Sequence, residues 1–338
     1  MDPIAALRRI GFLLERVRAP TYRVRAFRNA ALTLAGLSQD ELDRRGAAGT
    51  LTDLPGIGKT TSTVIAQALA GQVPDYLADL EERVEPLATG GEELRRALRG
   101  DLHSHSDWSD GGSPIQEMAV TAMELGHEYQ ALTDHSPRLT VANGLSVARL
   151  RRQLGIVATV NEHLGDFRLL SGIECDINED GTLDQTDEML GAVDIVVASV
   201  HSKLRSDSGA MTRRMLRAIA DPHTDILGHC TGRLVTGGRG TRPPSQFDAT
   251  RVFDACAEHG VAVEINSRPE RLDPPRKLLT QAVAAGCLFS IDTDAHAPGQ
   301  LDWQQYGCAR AVECGVPAER VVNTWPVEEL LTWTDRRP

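Results

Sequence analysis

The stretch GDLHSHSDWSDGG, residues 100–112, decides how this chain is read. A short run ends in His103 and His105, two residues apart, and Asp110 lies in the glycine-bounded loop behind them. Side chains two apart on a strand leave from the same face, so the two imidazoles converge. Six further apolar runs follow: YQALTDHS (129–136), RLLSGIECDI (168–177), DIVVASVHS (194–202), DILGH (225–229), AVEINS (262–267) and LFSIDTDAH (288–296). Helical patterns separate most of them, at 114–125, 147–163, 211–220, 248–259 and 276–285. Strands alternating with helices predict parallel strands joined by crossovers. Seven such units, with no GxGxxG phosphate loop after the first, favour an α/β barrel over an open dinucleotide-binding sheet.

Six of the seven runs finish in residues able to hold a metal ion. These are His103 and His105 with Asp110, Asp134 with His135, then Glu174, His201 and His229, and finally Asp294 with His296. Parallel barrels gather their catalytic groups where the strands end. The other four histidines (His127, His163, His223 and His259) fall on helices, helix ends or loops and read as structural or solvent-exposed. The sixth run supplies no ligand, although Asn266 could line the site.

Several motifs together resemble one family: DLHSHSDWSDG, ALTDHS, SGIECDINEDGTLD, IVVASVHSKLR, ILGHCTGRL, VEINSRPERLD and DTDAH. Over residues 101–305 the chain is similar to the polymerase-and-histidinol-phosphatase (PHP) phosphoesterases, in the form carried by bacterial family X DNA polymerases. The resemblance implies a distorted (β/α)7 barrel of PHP type, with up to three metal ions on nine ligands. By motif these are His103, His105, Asp110, His135, Glu174, His201, His229, Asp294 and His296. Asp134, next to His135, is expected to orient that imidazole and to serve the catalytic site alongside Glu174. Mixed imidazole and carboxylate ligands suit two or three Zn²⁺, Mn²⁺ or Fe²⁺ ions. Such ions lower the pKa of a bridging water and neutralise charge on a phosphoryl group under in-line attack, so no Ser or Cys nucleophile is required. Glu174 is the candidate for a carboxylate shared by two metals. Candidate phosphate partners are Lys203 and Arg205 after the fourth run, Arg233 after the fifth, and Arg268 and Arg271 after the sixth.

Residues 1–88 follow a different grammar, with helical spacing only. LPGIGK (54–59) opening a helix resembles a helix–hairpin–helix motif, whose glycines bring backbone N–H groups up to a phosphate. YRVRAFRNAALTLAGL (22–37) is similar to the N-terminal lyase-type domain of family X polymerases. The resemblance implies sequence-independent DNA contacts by Arg23, Arg25, Arg28, Gly56, Gly58 and Lys59. Only a linker, 89–99, stands where a polymerase palm would lie, so polymerase activity is not expected. Lysines are few, only Lys59, Lys203 and Lys277. The helix lysine that acts as Schiff-base nucleophile in eukaryotic lyase domains aligns near Val64, so lyase activity is not expected either.

Charge supports the division. The 338 residues carry net charge −11, yet residues 1–100 hold 14 Lys and Arg against 13 Asp and Glu, and the remainder 22 against 34. Within the first thirty residues seven arginines face only Asp2 and Glu15. A basic arm on an acidic body fits a polyanionic partner. No stretch of eighteen apolar residues occurs, so no membrane span is expected. Six scattered cysteines with no CxxC pair suit a reducing cytoplasm. The expected function is a metal-dependent phosphoesterase acting on DNA, as 3′–5′ exonuclease, 3′-phosphatase or abasic-site endonuclease. The alternative is a small-molecule phosphatase, for histidinol phosphate or a nucleotide. A non-catalytic DNA-binding scaffold is opposed by the complete ligand set.

Overall fold

The computed structural model describes residues 1–238 and 240–335, and the chain forms two compact units, the first Met1–Pro86 and the second starting at Leu87. In the first unit, α1 (Pro3–Arg16), α2 (Thr21–Ala35), α3 (Gln39–Ala48), α4 (Lys59–Leu69) and α5 (Asp75–Glu82) follow the helical spacing of the sequence. Asp2 caps α1 by accepting a 2.6 Å hydrogen bond from Ala5 N. Leu7, Ile10, Leu14, Leu34 and Ile65 come from three helices into one buried core, the outcome that apolar stripes at three- and four-residue spacing require. The Pro55–Gly58 break lies between a 3-10 turn (Leu51–Asp53) and α4. Gly56 has φ +76°, a left-handed conformation that costs an L side chain roughly 1–2 kcal/mol. Leu54 and Ile57, buried on either side, anchor this turn in the core.

Residues 89–99, expected as a linker, belong instead to the second unit. They contain α6 (Glu92–Ala97), and Leu94 and Leu98 are buried in the barrel's main core. The two leucines are four apart and share a helix face, which binds the segment to the barrel.

The barrel strands are β1 (Gly100–Ser104), β2 (Tyr129–Leu132), β3 (Arg168–Asp176), β4 (Ile195–Ser199), β5 (Ile226–Leu227), β6 (Ala262–Asn266) and β7 (Phe289–Asp292). All pair in parallel, in sequential order. The ring closes where Ser104 bridges Ala295 and His105 N donates to Ala295 O at 2.8 Å. Leu102 N donates to the Asp292 carboxylate at 2.8 Å, so the seam uses side chains as well as backbone. Around the strands lie α7 (Ile115–Glu124), α8 (Val147–Asn161), α9 (Asp187–Leu190), α10 (Ser208–Ile219), α11 (Ala249–His259), α12 (Arg276–Ala284), α13 (Gln304–Glu313) and α14 (Val327–Thr334). This is the distorted (β/α)7 barrel.

The interior explains where chemistry can occur. Leu102, Tyr129, Ala131, Leu170, Ile195, Val197, Ile226 and Ala262 pack as one apolar cluster with Val322, Leu330 and Trp333. This plugs the end of the barrel at which the strands begin. Period-two alternation then carries the same inward face to Glu174 on β3, toward His201 past β4, and to Glu264 on β6. Polar groups are thereby confined to the C-terminal end. No helix among the described residues is long and apolar enough to cross a membrane, and all six cysteines are unpaired.

Candidate metal centre

The nine expected ligands converge. Their atoms fall into three overlapping sets, His105–Asp110–His135–His296, His103–His105–Asp294 and His135–Glu174–His201, each with ligand atoms within 4.8 Å of one another. His229 joins through Nε2, 2.9 Å from Glu174 Oε1. Asp110 reaches the group from the loop after β1, with Oδ1 3.5 Å from His135 Nε2 and 3.3 Å from His296 Nε2. That loop folds back tightly, because a Cβ at Gly111 would stand 2.6 Å from the Ser106 backbone. Asp294 adopts φ +52°, a conformation rare outside glycine and concentrated at functional sites.

The donor set fits cations. Both ring nitrogens of His105 and of His201, His103 Nε2 and His229 Nδ1 are buried with no hydrogen-bond partner among the described residues. Buried His135 Nδ1 and Glu174 Oε2, 2.7 Å apart, are not aligned to bond each other. An unsatisfied buried polar group costs about 1–3 kcal/mol, and a cluster of them in one place calls for a bound ligand. Burial opposes the Glu174 charge, yet His201, His135 and His103 hold that carboxyl well below the usual carboxylate range. Asp294 is likewise held low against its burial, by His105, Arg268 and Arg271. His105 is driven the other way, to about 3, by burial and by the neighbouring His296 and His135. Burial opposes the charge of His103 and His201 too, yet Glu264 and Glu174 raise the pKa of the first, and Glu174 and Asp176 raise that of the second to about 9. Cations therefore bind here by displacing protons as well as by meeting the lone pairs of His105 and the ionised carboxylates.

Glu264 is the residue that sequence reasoning missed. Its Oε1 lies 2.5 Å from His103 Nδ1, and its Oε2 accepts from His229 N and, at 3.2 Å, from Asn266 Nδ2. It therefore sets the orientation of His103, leaving Nε2 toward Glu174. The signal was present, since Glu264 is two residues from Asn266 on an inward-facing strand. Asp176 acts similarly, accepting from His201 N at 3.1 Å.

Asp134 does not do what was expected of it. Its carboxylate accepts from Ser106 N at 2.8 Å, Ser106 Oγ at 2.6 Å, Ser109 Oγ at 2.5 Å and Gln153 Nε2 at 2.6 Å. These bonds saturate it, so it braces the loop that carries Asp110 and neither orients His135 nor joins the cluster. The catalytic assignment to Asp134 is corrected accordingly.

Among the expected phosphate partners, Arg268 and Arg271 reach the centre. Arg271 Nε lies 3.1 Å from Asp294 Oδ2, and Arg268 Nη1 donates to Asp294 O at 2.8 Å. Lys203 and Arg205 are exposed beyond β4. Arg233 is withdrawn, because its guanidinium donates to the carbonyls of Arg271, at 3.0 Å, and Leu272. It tethers the loop after β6 and does not face the cluster. In the helical unit Arg23, Arg25 and Lys59 are exposed, and Arg23 donates to Tyr76 Oη at 2.6 Å. Arg28 is corrected as a DNA contact. It forms a two-pronged ion pair with buried Glu15, at 2.9 and 2.7 Å, which commits its charge inside the fold.

The other four histidines stay outside the cluster. Burial and the Arg95 charge push the His127 pKa down to about 3, against about 6.5 for an unfolded histidine. The folded value is the lower one, so the unfolded chain takes up the proton first as pH falls. The stability tied to neutral His127 is therefore present above pH ~6.5 and lost between there and ~3. His127→Gln is expected to flatten that part of a melting-temperature profile, and an unaltered acid limb would contradict the assignment.

Comparison with known proteins agrees with this geometry. The model of the PHP domain matches residues 101–268, and that of the helix-hairpin-helix domain matches residues 1–73. The chain is 34% identical over 265 residues to the DNA polymerase/3′-5′ exonuclease PolX of Bacillus subtilis, covering 78% of this chain and 46% of that protein. It thus spans about half the length of that relative. A probable phosphatase of Caldanaerobacter subterraneus is 26% identical over 248 residues, 70% of this chain and 90% of its own. The histidinol phosphate phosphatase of Lactococcus lactis, solved with zinc, L-histidinol and phosphate, superposes with TM-score 0.47 at 19% identity, over 64% of this chain and 94% of its own. With its His, Asp and Glu cluster at the C-terminal end of a seven-stranded barrel, the chain belongs to the PHP family of metal-dependent phosphoesterases and carries an N-terminal helix–hairpin–helix domain.

Proposed function

We propose that this chain processes DNA, hydrolysing phosphate esters at strand ends or abasic sites as a 3′–5′ exonuclease, 3′-phosphatase or abasic-site endonuclease. Two or three Zn²⁺, Mn²⁺ or Fe²⁺ ions would be held by the nine residues of the cluster. The observation that carries this reading is the joining, in one chain, of a complete ligand cluster to a helix–hairpin–helix domain. Bound divalent ions supply an activated water and neutralise phosphoryl charge. The chain's own groups position the reactants. Arg268 and Arg271, beside Asp294, offer cationic forks to phosphate oxygens. Glu264 keeps His103 in register. In the helical unit, Gly56, Gly58 and exposed Lys59 leave the start of α4 open to a phosphate. Exposed Arg23 and Arg25 on α2 add sequence-independent attraction. The unpaired cysteines suit a reducing, cytoplasmic setting.

A panel of recessed, 3′-phosphorylated and abasic DNA, alongside histidinol phosphate and nucleotides, tests this reading. Lys59→Glu is expected to raise KM for DNA about tenfold and to reduce the salt slope of binding by about one. Removing residues 1–86, which have their own core, is expected to weaken DNA processing further. An unchanged rate on DNA without residues 1–86 would refute the proposal. Rapid turnover of histidinol phosphate with none on DNA would put a small-molecule phosphatase in its place.

A further inference from the structure

Beside the metal cluster the barrel has a basic cavity that the ligand set does not explain. The connection from β5 to α11 is drawn into a ribbon by one isolated antiparallel bridge, in which Leu234 N donates to Arg242 O and Arg242 N to Leu234 O, each at 2.9 Å. Three bonds hold the ribbon down. Arg242 Nε donates to Gly232 O at 2.6 Å, Val235 N to Glu270 O at 2.7 Å, and Ser245 N to Thr231 O at 2.9 Å. A cavity of about 290 Å³ is lined by Arg205, Arg242, Arg268, Arg271, Thr236 and Thr241, with Glu270 the one carboxylate among its described lining residues.

Two features point to a ligand. Four guanidinium groups line the cavity against Glu270, with Asp294 paired to two of them behind its wall. This still leaves a local positive excess in a chain of net charge −11. Charge gathered in a concave site of this kind focuses field on an anion. The cavity also shares a wall with the reacting centre, since Arg268 and Arg271 both line it and both touch Asp294. Planar guanidinium forks and threonine hydroxyls match the oxygens of a phosphate. The volume is near the lower end of that of ligand pockets and suits a phosphate with part of its ester.

We propose that this cavity is a second phosphate subsite, so that preferred substrates carry two phosphoryl groups, one at the metal centre and one held by Arg205, Arg242, Thr236 and Thr241. The substrate class is a polyanion, such as a nucleic-acid strand end or a nucleoside bisphosphate. An ester whose leaving group carries an ammonium meets like charge here and is rejected. The inference rests on the phosphoesterase reading of the centre but does not require DNA as the substrate.

The test is calorimetry on the metal-loaded full chain with two thymidine analogues that cannot be hydrolysed, the 3′,5′-bisphosphonate and the 5′-phosphonate. The bisphosphonate is expected to bind at least about tenfold tighter, the gain from one further set of charge-assisted bonds. Arg205→Glu and Arg242→Ala are each expected to bring that ratio toward one. Arg242 also anchors the ribbon, so the exposed Arg205→Glu is the deciding variant. Equal affinities in the unsubstituted protein, or a ratio that survives Arg205→Glu, overturns the subsite. If the ratio responds as expected and no DNA is hydrolysed, the subsite stands and the DNA reading falls. If DNA is hydrolysed and the ratio ignores Arg205→Glu, the subsite falls and the DNA reading stands.

Discussion

Replacing Glu174 with glutamine is expected to lower phosphoester hydrolysis roughly a thousandfold or more, with the barrel still folded. The Glu174 carboxylate faces five of the expected ligands at once. Its Oε1 lies 2.9 Å from His229 Nε2 and 3.2 Å from His201 Nε2. Its Oε2 lies 2.7 Å from His135 Nδ1, 3.4 Å from His103 Nε2 and 3.6 Å from His105 Nε2. Glutamine keeps the shape but removes the negative charge and turns one acceptor into a donor, which faces the place where cations bind. Metal content measured by mass spectrometry should fall in step with activity, while circular dichroism stays that of the parent. Wild-type turnover in a fully metallated variant would mean that the reaction occurs elsewhere.

Stripping the metals with a chelator is the second large effect expected. Hydrolysis should vanish, and the barrel's unfolding midpoint should drop by about 10 °C. A ligand present at a thousand times its Kd stabilises by about 4 kcal/mol, and each kcal/mol moves the midpoint of a domain of this size by about 2–4 °C. The loss has a local cause. Without cations, both ring nitrogens of His105 and His201 and one each of His103, His135 and His229 lack hydrogen-bond partners among the described residues, and their desolvation is uncompensated. The helical unit has a separate core and no part of the cluster, so its own transition should not move. Adding back Zn²⁺, Mn²⁺ and Fe²⁺ one at a time then identifies the working metal. Full activity in protein that contains no metal would exclude the centre described above.

Much of the site was legible in the sequence. Ligand positions follow from local rules, namely period-two alternation and the tendency of barrel chemistry to sit at strand ends. Glu174, His201 and the Asp294–His296 pair could be placed from those rules alone. The helical unit was legible for the same reason, since three- and four-residue spacing and the Pro55–Gly58 break are local signals. Glu264 was missed because its meaning depends on His103, 161 residues away in the chain. Asp134 and His135 are sequence neighbours, yet Asp134 is used by Ser106, Ser109 and Gln153 from two other segments.

The same division separates the arginines. Arg28 looks like any other member of a basic arm, and only the packing of α1 against α2 brings it to Glu15. Arg233 sits in a promising motif, but the loop after β6 supplies the carbonyls that occupy it. The cavity lined by Arg205, Arg242, Arg268 and Arg271 draws on three separate connections, so no single stretch of sequence announces it. By itself the sequence determined which residues could be ligands, and the barrel that collects them, because backbone periodicity is a short-range property. Which partner each polar side chain takes was decided only by tertiary structure, because a buried charge or donor must be satisfied by whatever the fold brings beside it.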